Sequence, residues 1–471
     1  MIDSILAEPE TRHARWGILI VDPDRGDTLY SHDAGKLFVP ASNMKLVTGA
    51  IALDVLGPDF QFATPVLAAG PVQSDGTLTG DLVVVGRGDP SISDHMAGDA
   101  MIPLQTIAEA VAAHGILRIR GSIRAAGDAF PDANLGFGWS WDDLEYAYSA
   151  PMDELLFNEG FSTVHVHAGT EPGDTLRVWT APARTYPPVR TEVLTAARDT
   201  TADTSMTRIE VVKDTVSGDV IVSGTVLPGD SVTRVVTHRD PSVAFVAALR
   251  EALIDRGIVI LDSASAADSA ALDTVFVLRS PPVSQILGFF MKPSQNQVGE
   301  MLFKSVALQL TDTGTARVAR RVFGERLRAW GADSSGFAVW DGSGLTRRDL
   351  LSPETIAVVL DTMRRSRHFQ EFYDALPVAG VDGTLRQRMR GTVGEGNVRA
   401  KTGTLGGVRS LSGYVTTADG QQLLFIVLAN NYMVGTDYVS RVQDTIAVRL
   451  ARLRGIPPAR AGMIVPGSGQ R

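Results

Sequence analysis

The stretch Pro40-Ala41-Ser42-Asn43-Met44-Lys45 decides how this chain is read. It sets a serine and a lysine three residues apart at the head of an apolar run, Leu46, Val47, Ala50, Ile51, Leu53, Val55 and Leu56. Gly57-Pro58 then closes the run as a helix stop. Apolar residues fall on nearly every face of that helix, so burial is expected. Positions i and i+3 are neighbours on a helix, which brings the Lys45 amine to the Ser42 hydroxyl. Ser42 falls at the helix N-terminus, where backbone N–H groups favour developing negative charge. A serine, an adjacent amine base and a positive helix end are the parts of a nucleophilic acyl-transfer site.

The chain around this stretch has 471 residues, enough for two or three domains. Its apolar fraction of 44% and charged fraction of 21% belong to a globular protein. A net charge of −9 argues against a nucleic-acid binder, which needs a basic face. Cysteine is absent, which excludes disulfides and thiolate metal sites. No run approaches the roughly 18 apolar residues of a membrane span; the strongest, Leu423 to Leu428, has the length of a strand. The N-terminal residues Met1-Ile2-Asp3-Ser4 show no basic and apolar secretory signal. Lysine is scarce, six against 38 arginines, and Lys45 alone has a serine three positions before it.

Upstream of the central stretch, Trp16 to Val21 and Thr28 to Tyr30 read as a hairpin about an Asp-Pro-Asp-Arg-Gly-Asp turn. From about Thr64 to Leu278 the texture changes to short β segments separated by Gly and Asp turns, among them Leu82 to Val85, Val164 to His167 and Val220 to Val222. Two helical patches interrupt them, Leu104 to Ala113 and Pro241 to Asp255. Beyond Val283 helices return at Gln295 to Leu310, Ala316 to Trp330 and after Ser352-Pro353-Glu354. Three strands follow, Val398 to Thr402, Ser410 to Thr416 and Gln422 to Asn430, then an amphipathic helix from Val439 to Arg454. The tail after Pro457 reads as poorly ordered. The two ends share a style that the middle lacks. An α/β (α+β) catalytic domain interrupted by a β-rich insertion is the economical reading, with three consecutive domains as the alternative.

Two short motifs join Ser42 and Lys45. Ser294-Gln295-Asn296 opens a helix, and Lys401-Thr402-Gly403-Thr404 lies at a strand end before Leu405-Gly406-Gly407. Each pattern occurs once, and the three in this order form the motif class of serine β-lactamases and penicillin-binding proteins, in which Asp stands where this chain has Gln295. With these motifs the chain resembles the class C low-molecular-mass penicillin-binding proteins, the D-alanyl-D-alanine carboxypeptidase/endopeptidases of the penicillin-binding protein 4 type. Gly80-Asp81-Leu82 through Gly86-Arg87-Gly88-Asp89-Pro90, Asp341-Gly342-Ser343-Gly344-Leu345 and Gly380-Val381-Asp382-Gly383-Thr384-Leu385 carry the likeness further. So does the long gap from Lys45 to Ser294, which in that family holds two inserted domains.

The resemblance implies a penicillin-binding, transpeptidase-like domain at 1–63 and 279–471, an antiparallel sheet flanked by helices. It implies one inserted domain at 64–160 and 224–278 and another at 161–223. Ser42 would attack the carbonyl of the penultimate D-Ala of a peptidoglycan stem peptide. Lys45 would be the base, which requires a neutral amine, and burial plus the charge of Lys401 would make it so. Asn296 would hold the substrate amide and the Lys45 amine, and Ser294 would relay the proton to the leaving amine. Lys401, Thr402 and Thr404 would bind the terminal carboxylate, with Gly403 between them in the same motif. The backbone N–H groups of Ser42 and Thr404 would form the oxyanion hole. β-Lactams would acylate Ser42. Neither cofactor nor metal is implied, and the substrate places the enzyme in the periplasm or otherwise outside the cytoplasm.

Each residue also has a plainer reading: Ser42 or Ser294 as a helix cap, Lys45 or Lys401 as a surface charge. A β-lactamase or esterase on the same scaffold is an alternative, though class C enzymes of that kind carry Tyr where Ser294 stands, and the chain has no Tyr-x-Asn. A wall-binding scaffold with weak catalysis is another. Glu154-x-x-x-Asn158 reads as structural, because it precedes Ser294 rather than following it. His165 and His167 share a strand face without a third ligand nearby in the pattern. No Gly-x-Ser-x-Gly elbow is present.

Overall fold

The structure is a computed structural model that describes residues 2–191, 193–196, 207–214, 217–262 and 272–455. The tail after Pro457 lies outside the described residues. The frame is a five-stranded sheet in the order Arg399–Leu405, Val408–Thr416, Gln422–Asn430, Arg15–Asp22, Asp27–His32. All neighbours in it are antiparallel. The N-terminal hairpin is thus joined to the C-terminal strands, Ile18 opposite Val427 and Ile20 opposite Phe425.

The run Leu423 to Ala429 is apolar at every position because both faces of this sheet are covered. Side chains alternate along a strand. Leu424, Ile426 and Leu428 therefore join Leu19 and Tyr414 beneath the Met44–Val55 helix, while Phe425, Val427 and Ala429 join Ile18, Leu411 and Val415 beneath the C-terminal helix Thr436–Ala451. The first face also takes the helices Val283–Met291, Asn296–Thr311, Ala316–Ala329 and Pro353–Arg365. The expected strand at 398–402 runs further, through Gly403 to Leu405. Leu405 pairs with Val408 across Gly406-Gly407, where Gly407 takes φ +70°, so the Lys-Thr-Gly-Thr motif sits inside a paired strand and not at its end.

Between the two halves of this frame the chain builds two further cores. In one, the sheet Leu272–Arg279, Ala63–Ala69, Asp81–Val85, Ile123–Ala126 is covered by the helices Met101–Ala113 and Pro241–Asp255, with Leu82, Val84, Leu104, Phe245 and Leu249 fully buried. In the other, two three-stranded sheets bury Val164, Val166, Val220, Val222 and Val236. Ser231–Thr237 pairs with Phe161–His167 in this second unit, so its hydrogen bonding runs past residue 223. No helix among the described residues is long and apolar enough to cross a membrane.

The Arg15–Asp22 strand finds its long partner only at Gln422–Asn430. An isolated fragment of residues 1–63 should therefore show no cooperative thermal transition by circular dichroism; a sigmoidal melt would contradict this dependence.

Candidate active site

Ala41–Asn43 forms a single 3₁₀ turn that leads directly into the Met44–Val55 helix, and Ala41 holds the strained φ of +47°. Two anchors fix this turn against the sheet. Asn43 Nδ2 donates to the Lys401 carbonyl at 2.8 Å, and Ser410 Oγ donates to the Pro40 carbonyl at 2.7 Å. Strand and turn approach so closely that only glycine fits at 403. A Cβ there would lie 2.1 Å from Ser410 Oγ, 2.7 Å from the Pro40 oxygen and 2.9 Å from the Ser42 nitrogen. Gly344, at φ +79°, is pressed equally hard on the Ala41 carbonyl.

Lys45 is wholly buried. Its Nζ lies 2.9 Å from Ser42 Oγ, 2.6 Å from Asn296 Oδ1 and 2.6 Å from the Ser343 carbonyl. A neutral amine suits this geometry: its two N–H groups donate to the two carbonyl oxygens and its lone pair faces the serine hydroxyl. Burial lowers the Lys45 pKa to about 7, against the opposing charges of Asp341, Glu300 and Asp349. Desolvation of a fully enclosed ammonium, one of the two causes expected, is the dominant one, and the repulsion expected between the two lysines appears as a lowering of Lys401. Two of the opposing carboxyls are themselves blunted. Burial raises Glu300 to about 8 and lifts Asp349 well above the usual range, with Asp341 next among the causes for both. Near neutral pH Glu300 therefore pulls only weakly on the amine.

Lys401 is also fully buried, and its Nζ donates to Ser294 Oγ at 2.8 Å and to the Thr402 carbonyl at 3.0 Å. Burial first, and then the Lys45 charge, push its pKa well down. Ser294 has φ +68° and does not cap the following helix. Gln295 does so, its side chain accepting from the N–H groups of Gln297 and Val298. Ser294 is thereby left to aim its hydroxyl at Lys401. Asn296 places Oδ1 on Lys45 and donates Nδ2 to the Tyr148 carbonyl at 2.7 Å. Thr402 Oγ1 donates to Thr384 Oγ1 at 2.7 Å, and Thr404 Oγ1 accepts from Arg409. Ser42, Ser294, Asn296, Thr402, Gly403 and Thr404 line one cavity of about 610 Å³. Every residue expected at the site lines that cavity or, like Lys45 and Lys401, bonds to a residue that does.

Several participants carried no assigned role in the sequence. Glu300 Oε1 accepts from the N–H groups of Gly342 and Ser343 at 3.1 and 2.9 Å, which turns the Ser343 carbonyl toward Lys45. Asp341 holds the far side of that loop through the N–H groups of Gly344 and Thr346, and takes the Trp139 indole N–H at 3.0 Å. The Asp-Gly-Ser-Gly-Leu run was legible as a motif, but nothing in its spacing announced a carbonyl aimed at the base. Away from the cavity, His165 and His167 both lie against Trp179, and no group of His, Asp and Glu among the described residues is arranged to hold a metal. Glu154 accepts the Phe130 N–H and Asn158 accepts the Asp94 N–H, so both serve the inserted region.

Residues 1–453 match the family model described as the D-Ala-D-Ala carboxypeptidase 3 (S13) family. The chain belongs to that family. It is a serine-type D-Ala-D-Ala carboxypeptidase. It is 36% identical to a D-alanyl-D-alanine carboxypeptidase of Actinomadura sp. strain R39, over 100% of this chain and 88% of the relative. It is 25% identical to the D-alanyl-D-alanine carboxypeptidase DacB of Haemophilus influenzae, over 93% and 89% of the two chains. Among solved structures, penicillin binding protein 4 of H. influenzae shares the fold with a TM-score of 0.78 at 22% identity, covering 96% of this chain and 99% of that one. A predatory endopeptidase of Bdellovibrio bacteriovorus shares it more loosely, with a TM-score of 0.51 at 16% identity over 93% and 95%.

The fit between Gly403 and the Ser42 nitrogen gives a sharp test. Gly403→Ala should push the strand off the nucleophile by a few tenths of an ångström or more and slow penicillin acylation about 100-fold. Stopped-flow acylation rates would measure it; a rate within threefold of wild type would show that the close approach is dispensable.

Proposed function

We propose that this carboxypeptidase works through an acyl-enzyme on Ser42, on peptidoglycan stem peptides that end in D-Ala-D-Ala. The observation that carries the reading is the buried Lys45 amine, shared between Ser42 Oγ, Asn296 Oδ1 and the Ser343 carbonyl. Ser42 Oγ attacks the carbonyl of the penultimate residue while its proton passes to Lys45. The tetrahedral oxyanion sits between the N–H groups of Ser42 and Thr404. Ser294, held by Lys401, relays that proton from Lys45 to the leaving amine, which leaves both groups as they began. Lys401, Thr402 and Thr404 receive the free carboxylate of the leaving residue, and Asn296 orients the substrate amide. D-Ala departs, and water hydrolyses the ester. A β-lactam ring enters the same cycle, presenting its strained amide to Ser42 and its carboxylate to Lys401 and Thr402.

The same chemistry serves a cross-link in which the leaving residue belongs to a second stem peptide, so DD-endopeptidase cleavage is part of the proposal. Its substrate lies outside the cytoplasm, and the enzyme acts there. The domain partition proposed is a catalytic unit of 1–63 and 279–471, with the first inserted unit beginning at 64. The boundary drawn at 223 moves to about 237, which keeps Ser231–Thr237 with the strand it pairs with.

Two experiments test this reading. Labelled penicillin followed by peptide mass spectrometry should give one adduct, on Ser42, that is absent from Ser42→Ala; an adduct at another residue would sink the mechanism, and rapid release of hydrolysed drug would indicate a β-lactamase. The pH dependence follows from the lowered amine. The base works only when neutral, so the acylation rate should rise roughly tenfold per pH unit below the Lys45 pKa of about 7 and level off above it. A rate independent of pH from 5 to 9 would remove Lys45 as the base.

A further inference from the structure

A second cavity, of about 580 Å³, opens beside the catalytic one and is lined in part by His95, Phe289, Lys292, Pro293, Thr384 and Arg386. No step of acyl transfer uses it. It nevertheless adjoins two of the groups assigned to the leaving residue. Pro293 precedes Ser294, the proton donor, and Thr384 Oγ1 accepts from Thr402 Oγ1, a carboxylate ligand. At the other end of the motif strand, Arg347 Nη2 donates to the Gly406 carbonyl at 2.6 Å, four residues and about 13 Å beyond Thr402. Gly403, against the Ser42 nitrogen, lies between the two ends. A substrate split at Ser42 with its free carboxylate at Thr402 thus leaves its acyl half toward Gly406 and its leaving half toward Thr384.

The walls of this cavity are tied together before any ligand arrives. The Thr384 N–H donates to the Lys292 carbonyl at 3.0 Å, and Gly383, at φ +54°, presses on that same carbonyl, where a Cβ would stand 2.6 Å away. The Lys292 ammonium pairs with Asp382, whose other oxygen accepts the Val378 N–H. These contacts account for the Gly-Val-Asp-Gly-Thr-Leu run that catalysis leaves unused. The charges are uneven. Lys292 is matched by Asp382, and His95 faces Glu159 at 3.6 Å. Arg386 is exposed and has neither an ion pair nor a hydrogen bond from its side chain among the described residues. A released D-Ala carries only a methyl group and has no use for a groove with a spare guanidinium. A second stem peptide, with carboxylates along its length, has.

We propose that this groove is the subsite for the leaving strand of a peptidoglycan cross-link, with Arg386 pairing with a carboxylate of the second stem peptide. The inference rests on the endopeptidase part of the proposed function.

The test compares two substrates in the full-length enzyme: a D-Ala-D-Ala pentapeptide and a cross-linked muropeptide dimer. Arg386→Glu should lower kcat/KM for the dimer about fivefold to tenfold at low salt, leave D-Ala release from the pentapeptide within twofold, and keep the melting temperature. Arg386→Lys should restore most of the loss. Added salt should slow the wild-type enzyme on the dimer and, by screening the new repulsion, speed Arg386→Glu. Equal losses on both substrates, or no loss on either, overturn the subsite. Wild-type enzyme that releases D-Ala yet leaves the dimer uncut overturns the subsite while the carboxypeptidase reading stands; activity on neither overturns both.

Discussion

The structure depends on keeping one amine out of water and still useful. Lys45 is enclosed on a helix whose first turns have no exposed face, and enclosure makes its ammonium form expensive. A buried, unpartnered amine would be a defect. Here two carbonyl oxygens take its hydrogens and the serine hydroxyl meets its lone pair, so the protonation state favoured by burial is also the one that serves as a base. Glu300 secures the Ser343 carbonyl, and burial keeps Glu300 itself largely uncharged near neutrality, so the clamp holds its loop without restoring the charge on lysine.

Each contact to that amine comes from a different part of the chain, and the inserted region holds several of them in place. The Tyr148 carbonyl takes the Asn296 amide, and Gln297 Nε2 donates to the carbonyls of Ala147 and Ala150. Glu159 accepts from Gln295, the residue between the two working members of its motif. Trp139 reaches Asp341. The insertion therefore acts as a buttress to the catalytic loops as well as a wall of the cavity. This explains why Gln at 295 is serviceable: its amide caps the helix at one end and meets a buried carboxylate at the other.

Local pattern carried most of the architecture. The unbroken apolar run at 423–429 required a strand covered on both faces, and the mixed apolar faces of 46–56 required a buried helix. Strand and helix ends were less legible. The Lys-Thr-Gly-Thr strand continues past Gly403 because its ladder to Val408–Thr416 outweighs the weak strand propensity of glycine. Glu300 and Ser343 were illegible as site residues, since a carboxylate on a helix and a serine in a glycine turn have many ordinary uses, and a backbone carbonyl has no signature in a sequence.

Sequence alone determined which groups exist for chemistry: one serine with a lysine a helical turn away, one Ser-x-Asn, one Lys-Thr-Gly, and no cysteine. Residue types and spacings are local, so they can be read along the chain. Tertiary structure decided which state those groups occupy. The neutrality of Lys45 comes from burial by elements as far away as Ser343, and Gln295, by accepting from the N–H groups of Gln297 and Val298, takes over the capping and leaves Ser294 to accept from Lys401. Desolvation and hydrogen-bond geometry are sums over everything that surrounds an atom, and only the folded chain brings those surroundings together.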